Sequence, residues 1–236
     1  MFTQDEDDII ELMQFFFEIV ESDGYSAQAQ DDAVVVSAAL EAWGFLATFL
    51  DDAQDATEEA MDALLEQLES SELSVQVAAG ETIALLFEKA WTPAEEDELT
   101  DKHLAGTQYI QRYNPCPRMD LLKPLLADLS SGSKKHMKKE DRKVQRGTFV
   151  DIAHTVENPR DGPRFRESLT TKTGSGRRNK SWIRSGDGGM LRIDRWWKLL
   201  RVQFLKNLLG PGFAVHWTEN EQLGEATELV AEWDDE

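Results

Sequence analysis

Cysteine is almost missing: Cys116 is the one thiol in 236 residues. No internal disulfide can form, and a reducing compartment is the expectation. The 4 histidines (His103, His136, His154 and His216) are widely spaced, and with a single cysteine they make no recognisable zinc pattern. No apolar run is long enough to span a bilayer. The opening Met1–Asp8 is acidic and lacks the basic start of a secretory signal. Neither a membrane nor a metal or other cofactor is therefore expected, and the chain is placed in the cytoplasm, with the nucleus as a second compartment. Positive charge is scarce at both ends. Residues 1–133 hold 5 Lys and Arg against 29 Asp and Glu, and residues 219–236 hold none against 8. Catalytic patterning is missing as well, since no nucleophile and base occur at a recognisable spacing. Gly174 to Ser181 nearly spells a phosphate-binding loop, but Asn179 stands where that loop needs its second glycine. No small-molecule substrate and no enzymatic activity are expected.

What the chain does have is a basic middle. Residues 134–218 carry 20 Lys and Arg against 8 acids, within a net charge of −20. The charge is densest at Lys134, Lys135, Lys138, Lys139, Arg142, Lys143 and Arg146, seven cations within thirteen residues. On a helix of about 3.6 residues per turn, Lys135, Lys138, Lys139, Arg142 and Arg146 share one broad face. Such a face repels itself and gains by meeting a polyanion. A solvated charged helix would explain the block taken alone, and contact with the acidic ends would neutralise it internally. The segregation of charge along the chain points instead to docking on phosphate.

Apolar periodicity predicts helices over 5–22, from Asp31 or Asp32 to about Phe49, over 55–69 and over 74–90. Thr92-Pro93 reads as the start of a helix to about Tyr113, and 118–130 as a further short one. The basic helix is expected to open at about Ser133 and run to about Val156, turning apolar at Phe149, Val150, Ile152, Ala153 and Val156. In 158–190 the prolines and glycines break long elements, leaving a basic arm with short strands at 165–171, 181–185 and 189–193. Asp194 is expected to cap a helix through Trp196, Trp197, Leu199, Leu200 and Phe204. Thr218-x-x-Glu221 reads as a capping box before a last helix over 219–232. One of the two indoles, Trp196 or Trp197, belongs in the core, and the other is left open to stacking on bases. The helix pattern, with small residues at Ala78, Ala79 and Gly80, is that of a mainly α protein with armadillo/HEAT-like repeats. The expected divisions are an acidic helical-repeat scaffold (1–133), a basic helix (134–157), a basic Gly/Arg-rich loop or arm (158–190) and a small helical C-terminal domain (191–236).

Two stretches then resemble the interferon-related developmental regulator family. One runs from Ser133 through Lys138-Lys139-Glu140-Asp141-Arg142, Gln145-Arg146, Phe149 and Asp151. The other runs from Asp194-Arg195-Trp196 through Leu209-Gly210-Pro211-Gly212 and His216 to Asn220-Glu221 and Leu229. Val77 to Leu86 is similar to the family's helical-repeat portion. Gly147 stands where the family has Ser, residues 172–189 are inserted, and the family's N-terminal helical array is longer. The resemblance implies two activities. One is silencing of translation on the ribosome, with the C-terminal helix entering the mRNA channel. The other is transcriptional co-regulation as a helical-repeat scaffold, with chromatin or deacetylase complexes as partners. The charge map suits the first, with ribosomal RNA and protein as partners. Lys134, Lys135, Lys138, Lys139, Arg142, Lys143, Arg146, Arg177, Arg178 and Lys180 are expected to contact RNA. Trp217, Asn220, Leu223 and Leu229 are expected on the plug helix.

Overall fold

A computed structural model describes residues 6–95, 98, 108–132, 138–163, 181–184 and 190–227. Six helices form three successive hairpins: α1 (Glu6–Glu21) with α2 (Ala33–Ala47), α3 (Gln54–Leu68) with α4 (Leu73–Lys89), and α5 (Met119–Ser131) with α6 (Lys139–Glu157). Helices α2, α4 and α6 pack side by side as one row, and α1, α3 and α5 lie against them as partners. The chain is thus mainly α and repeat-like. A seventh helix, α7 (Trp196–Leu209), lies across α2 and α4.

The row is held by α4, which is apolar on nearly every side. Ala79, Ile83, Ala84, Leu85 and Leu86 are fully buried, each large aliphatic contributing roughly 1.5–3 kcal/mol. The small residues on α4 serve close approach. A Cβ on Gly80 would sit 2.7 Å from Ile152 Cδ1 and 2.8 Å from a carbon of the Phe149 ring, so α6 seats directly on the α4 backbone. Gly44 of α2 does the same for α7, since a Cβ there would lie 3.0 Å from Leu200 Cδ2.

Local chemistry accounts for most boundaries. Asp32 caps α2, its carboxylate accepting from Val34 N at 2.9 Å. Helix α1 ends at Asp23-Gly24, where Gly24 N donates to Ile19 O at 2.8 Å and the glycine takes φ 83°.

Four expectations are corrected. The helix expected from Thr92 to Tyr113 is absent at both of its ends, the part of it among the described residues. Trp91–Pro93 (β1) and Tyr109–Gln111 (β2) pair as antiparallel strands instead, as suits their aromatic and β-branched residues. The Thr92 hydroxyl accepts from Arg112 Nε at 2.6 Å and caps no helix. The basic helix starts at Lys139, later than the expected Ser133. Lys138 is extended (φ −59°, ψ 151°), and Glu140 and Asp141 occupy the first turn, where the helix dipole favours acids over a run of lysines. Asp194 does not cap α7: Arg195 holds that position, and the Glu88 carboxylate of α4 accepts from Trp196 N at 3.0 Å and Trp197 N at 3.3 Å. Thr218 does not cap the last helix: it lies inside an unexpected short helix, α8 (Phe213–Glu219), and the described part of the helix expected over 219–232 is α9 (Glu221–Thr227). Thr218 bonds back to Ala214 O at 2.9 Å, and Asn220 at the break accepts from Leu223 N at 3.3 Å. The break arises because Asn competes for local backbone bonds that a continuous helix would use.

Of the expected arm strands, Ser181–Arg184 (β3) and Met190–Ile193 (β4) pair antiparallel. The strand at 165–171 lies outside the described residues.

Candidate nucleic-acid interface

Helix α6 is split by chemistry into two faces. Gln145, Phe149, Ile152 and Val156 recur at helical spacing and are buried. Lys139, Arg142, Lys143 and Arg146 lie on the adjoining flank towards the start of the helix and are exposed, with Lys138 exposed at the cap. Among the described residues, no ion pair holds Lys138, Lys139, Lys143 or Arg146. Their side chains are exposed to solvent. Val144, 54% exposed, interrupts the stripe with an apolar side chain.

The register of this face is set from below. Gln145 is 1% exposed, and its amide donates to Gln76 Oε1 at 2.7 Å. Gln76 in turn donates to Ser70 O at 2.6 Å. A buried amide relay of this kind tolerates one rotational setting of α6 on α4, because slippage would leave polar atoms buried without partners. Sequence reasoning missed the relay. Its signal was Gln145 standing four residues before Phe149, a polar residue on an apolar face.

The root of the arm is closed tightly. At Gly162 (φ 63°) a Cβ would lie 2.0 Å from Asp194 O, so only glycine permits this crossing of the two ends of the arm. Arg195 bridges the same place, donating to Arg160 O at 2.9 Å. The Arg160 guanidinium lies 6.0 Å from the centre of the Trp91 ring, within the range of a cation–π contact. Lys198 pairs with Asp194 at 3.1 Å and lies 5.5 Å from the Trp197 ring. The two indoles divide as the spacing suggested. Trp196 is core, its Nε1 donating to Thr155 Oγ1 at 2.8 Å, while Trp197 is half-buried among cations.

In the C-terminal segment, Trp217 packs on Phe213 with ring centres 5.8 Å apart, and Leu223 is half-buried. Arg201, 3% exposed, ties the segment to the frame. It donates to Thr48 Oγ1 at 2.8 Å, Thr48 O at 3.0 Å and Thr227 O at 2.8 Å. Its guanidinium lies 3.9 Å from the Phe49 ring centre and 4.7 Å from that of Trp197. Nothing in the pattern of the chain separated this arginine from the exposed ones. Lys134, Lys135, Arg177, Arg178, Lys180 and Leu229 lie outside the described residues.

Burial pushes the Glu88 carboxyl up to about 7, against the pull of the Trp196 and Trp197 amides and of Arg195. Desolvation likewise raises Glu81 to about 7; the Gln203 amide opposes this and Glu41 adds to it. Cys116 is fully buried, and burial raises its thiol above the ordinary value, which disfavours the reactive thiolate. Among the described residues no cluster of His, Cys, Asp and Glu has the arrangement of a metal site. No helix among them is long and apolar enough to cross a membrane.

Residues 1–157 match the family described as Interferon-related developmental regulator (IFRD). An uncharacterised protein of Schizosaccharomyces pombe is 31% identical over 217 residues, covering 91% of this chain and 45% of its own length. Interferon-related developmental regulator 1 of Sus scrofa is 30% identical over 192 residues, covering 80% of this chain and 35% of its own. The Homo sapiens protein of the same name is 28% identical, with 84% and 37% covered. The chain thus spans less than half the length of these curated relatives. The family match reaches across all three helical hairpins to the end of α6, and the relatives extend it over most of the remainder. The chain belongs to the interferon-related developmental regulator family.

Proposed function

We propose that this chain is a non-enzymatic repressor of translation that docks on ribosomal RNA through the exposed face of α6 and the basic arm. The observation that carries the reading is the placement of Lys138, Lys139, Arg142, Lys143 and Arg146. All are exposed, on a helix whose apolar stripe is locked into the stack. A rigid row of cations meets folded RNA by charge and shape, contacting phosphates and not reading bases. The acidic frame keeps the rest of the surface off the RNA, so the basic row sets the orientation of docking.

The C-terminal segment is proposed as the element that enters the mRNA channel. Entry requires α9 to part from Arg201, which holds the Thr227 carbonyl. Leu223 and Trp217 would then exchange their packing here for contacts in the channel. Because the segment is acidic, its contacts are expected with ribosomal protein or with a wall lined by Lys and Arg.

The test is co-sedimentation with ribosomes at low salt, comparing the wild type with a chain in which Lys138, Lys139, Arg142 and Arg146 are all replaced by Glu. Binding by the wild type that is lost in the variant is the expected result. Unchanged co-sedimentation rejects the assignment. A pull-down dominated by chromatin proteins and insensitive to RNase would replace it with transcriptional co-regulation through a protein scaffold.

A further inference from the structure

Helix α1 and the start of α3 enclose a groove of about 390 Å³ between the first and second hairpins. Its floor is apolar, with Met13, Phe17, Trp43 and Leu50 among the lining residues. Its rim is acidic, with Glu6 on α1 and Asp52, Asp55 and Glu59 on the other wall, all exposed. Among the described residues no Lys or Arg lines it. Ile10 stands on the α1 wall, 42% exposed.

We propose that this groove receives a short amphipathic helix of a partner protein, with large apolar residues on one face and Lys or Arg on its flanks. The apolar floor between two helices suits the helix-in-groove mode, in which residues at i, i+3, i+4 and i+7 are seated. Asp55 and Glu59 lie one turn apart along α3, so they meet cations spaced one turn apart on the incoming helix. Phosphate-bearing partners are repelled by the same carboxylates. A second copy of this chain fits poorly. Its densely basic helix is α6, and the apolar face of α6 is already buried against α4 and α5. The occupant must bring both charge and apolar side chains, which points to a different protein. This site is separate from the basic face, and the inference stands whether or not the chain binds RNA.

The test uses the full chain and a fluorescein-labelled synthetic peptide built on a Leu-Lys-Lys-Leu repeat, followed by fluorescence anisotropy. A peptide of the same composition, scrambled to remove the helical period, serves as the comparison. Thermal melts confirm that each variant folds. Replacing Asp55→Lys together with Glu59→Lys should weaken binding about tenfold. Ile10→Glu should also weaken it about tenfold, although it adds a negative charge that would tighten binding driven by charge alone. The scrambled peptide should bind more weakly than the amphipathic one. The inference is overturned if the amphipathic peptide does not bind or the scrambled peptide binds equally. It also fails if Ile10→Glu leaves binding unchanged or tighter, or if sedimentation shows the groove closed by a second copy that the peptide does not displace.

Discussion

Arg201 is the residue on which the C-terminal segment turns. A guanidinium out of water needs its donors used and its charge faced, and here the carbonyls of Thr48 and Thr227 and the rings of Phe49 and Trp197 supply both. A lysine ammonium lacks the planar fork that spans the two carbonyls. Arg201→Lys should therefore destabilise the fold by about 2–3 kcal/mol. It should also speed amide exchange in α9 more than in α2, a comparison made by hydrogen-exchange mass spectrometry. Glu88 gives a second prediction at this scale. Its folded value is raised to about 7 from an ordinary 4.5, so between those values the folded chain holds a proton that the unfolded chain releases. Stability from this source is present at low pH and is lost as pH rises through about 7. Glu88→Gln, which keeps one acceptor for the α7 amides, should flatten the fall in Tm between about pH 5 and pH 8 relative to the wild type. Glu81 retains its own part of that fall.

At the scale of elements, α4 and α6 behave as one unit, and the glycine between them is the sensitive point. A side chain at Gly80 meets Ile152 and Phe149 at under 3 Å. Gly80→Val should cost about 1–3 kcal/mol in overpacking despite the helix propensity gained over glycine. Chemical denaturation checks this, with Gly147→Ala as the contrast, since a Cβ there meets nothing within 4 Å. The same elements show what could be read in advance. Helices α1 to α5 were legible because apolar period and caps agree, as at Asp32 and Asp23-Gly24. The region after Lys89 misled because Thr92-Pro93 carries a helix-start signal, while the force that decides it is the pairing of Trp91–Pro93 with the distant Tyr109–Gln111. Asp194 misled for a related reason: the cap of α7 comes from Glu88, 108 residues away in sequence. The exposed cations of α6 were legible, being a matter of local spacing. The Gln145–Gln76 relay and the Arg201 clasp were not, since each depends on which helices become neighbours.

Taken whole, the molecule is a stack of acidic helical hairpins whose third member presents the positive charge. Placing the basic row on a core helix fixes its geometry, which a mobile tail of equal charge would not do. This arrangement suits a polyanion of fixed shape, because rigid cations give up less conformational freedom on binding. The decisive measurement is the salt dependence of binding to purified ribosomes for the wild type and for Lys139→Ala and Lys143→Ala separately. If these side chains sit on RNA phosphates, each substitution lowers the slope of log K against log salt by about one. Slopes equal to that of the wild type would contradict docking of α6 on RNA.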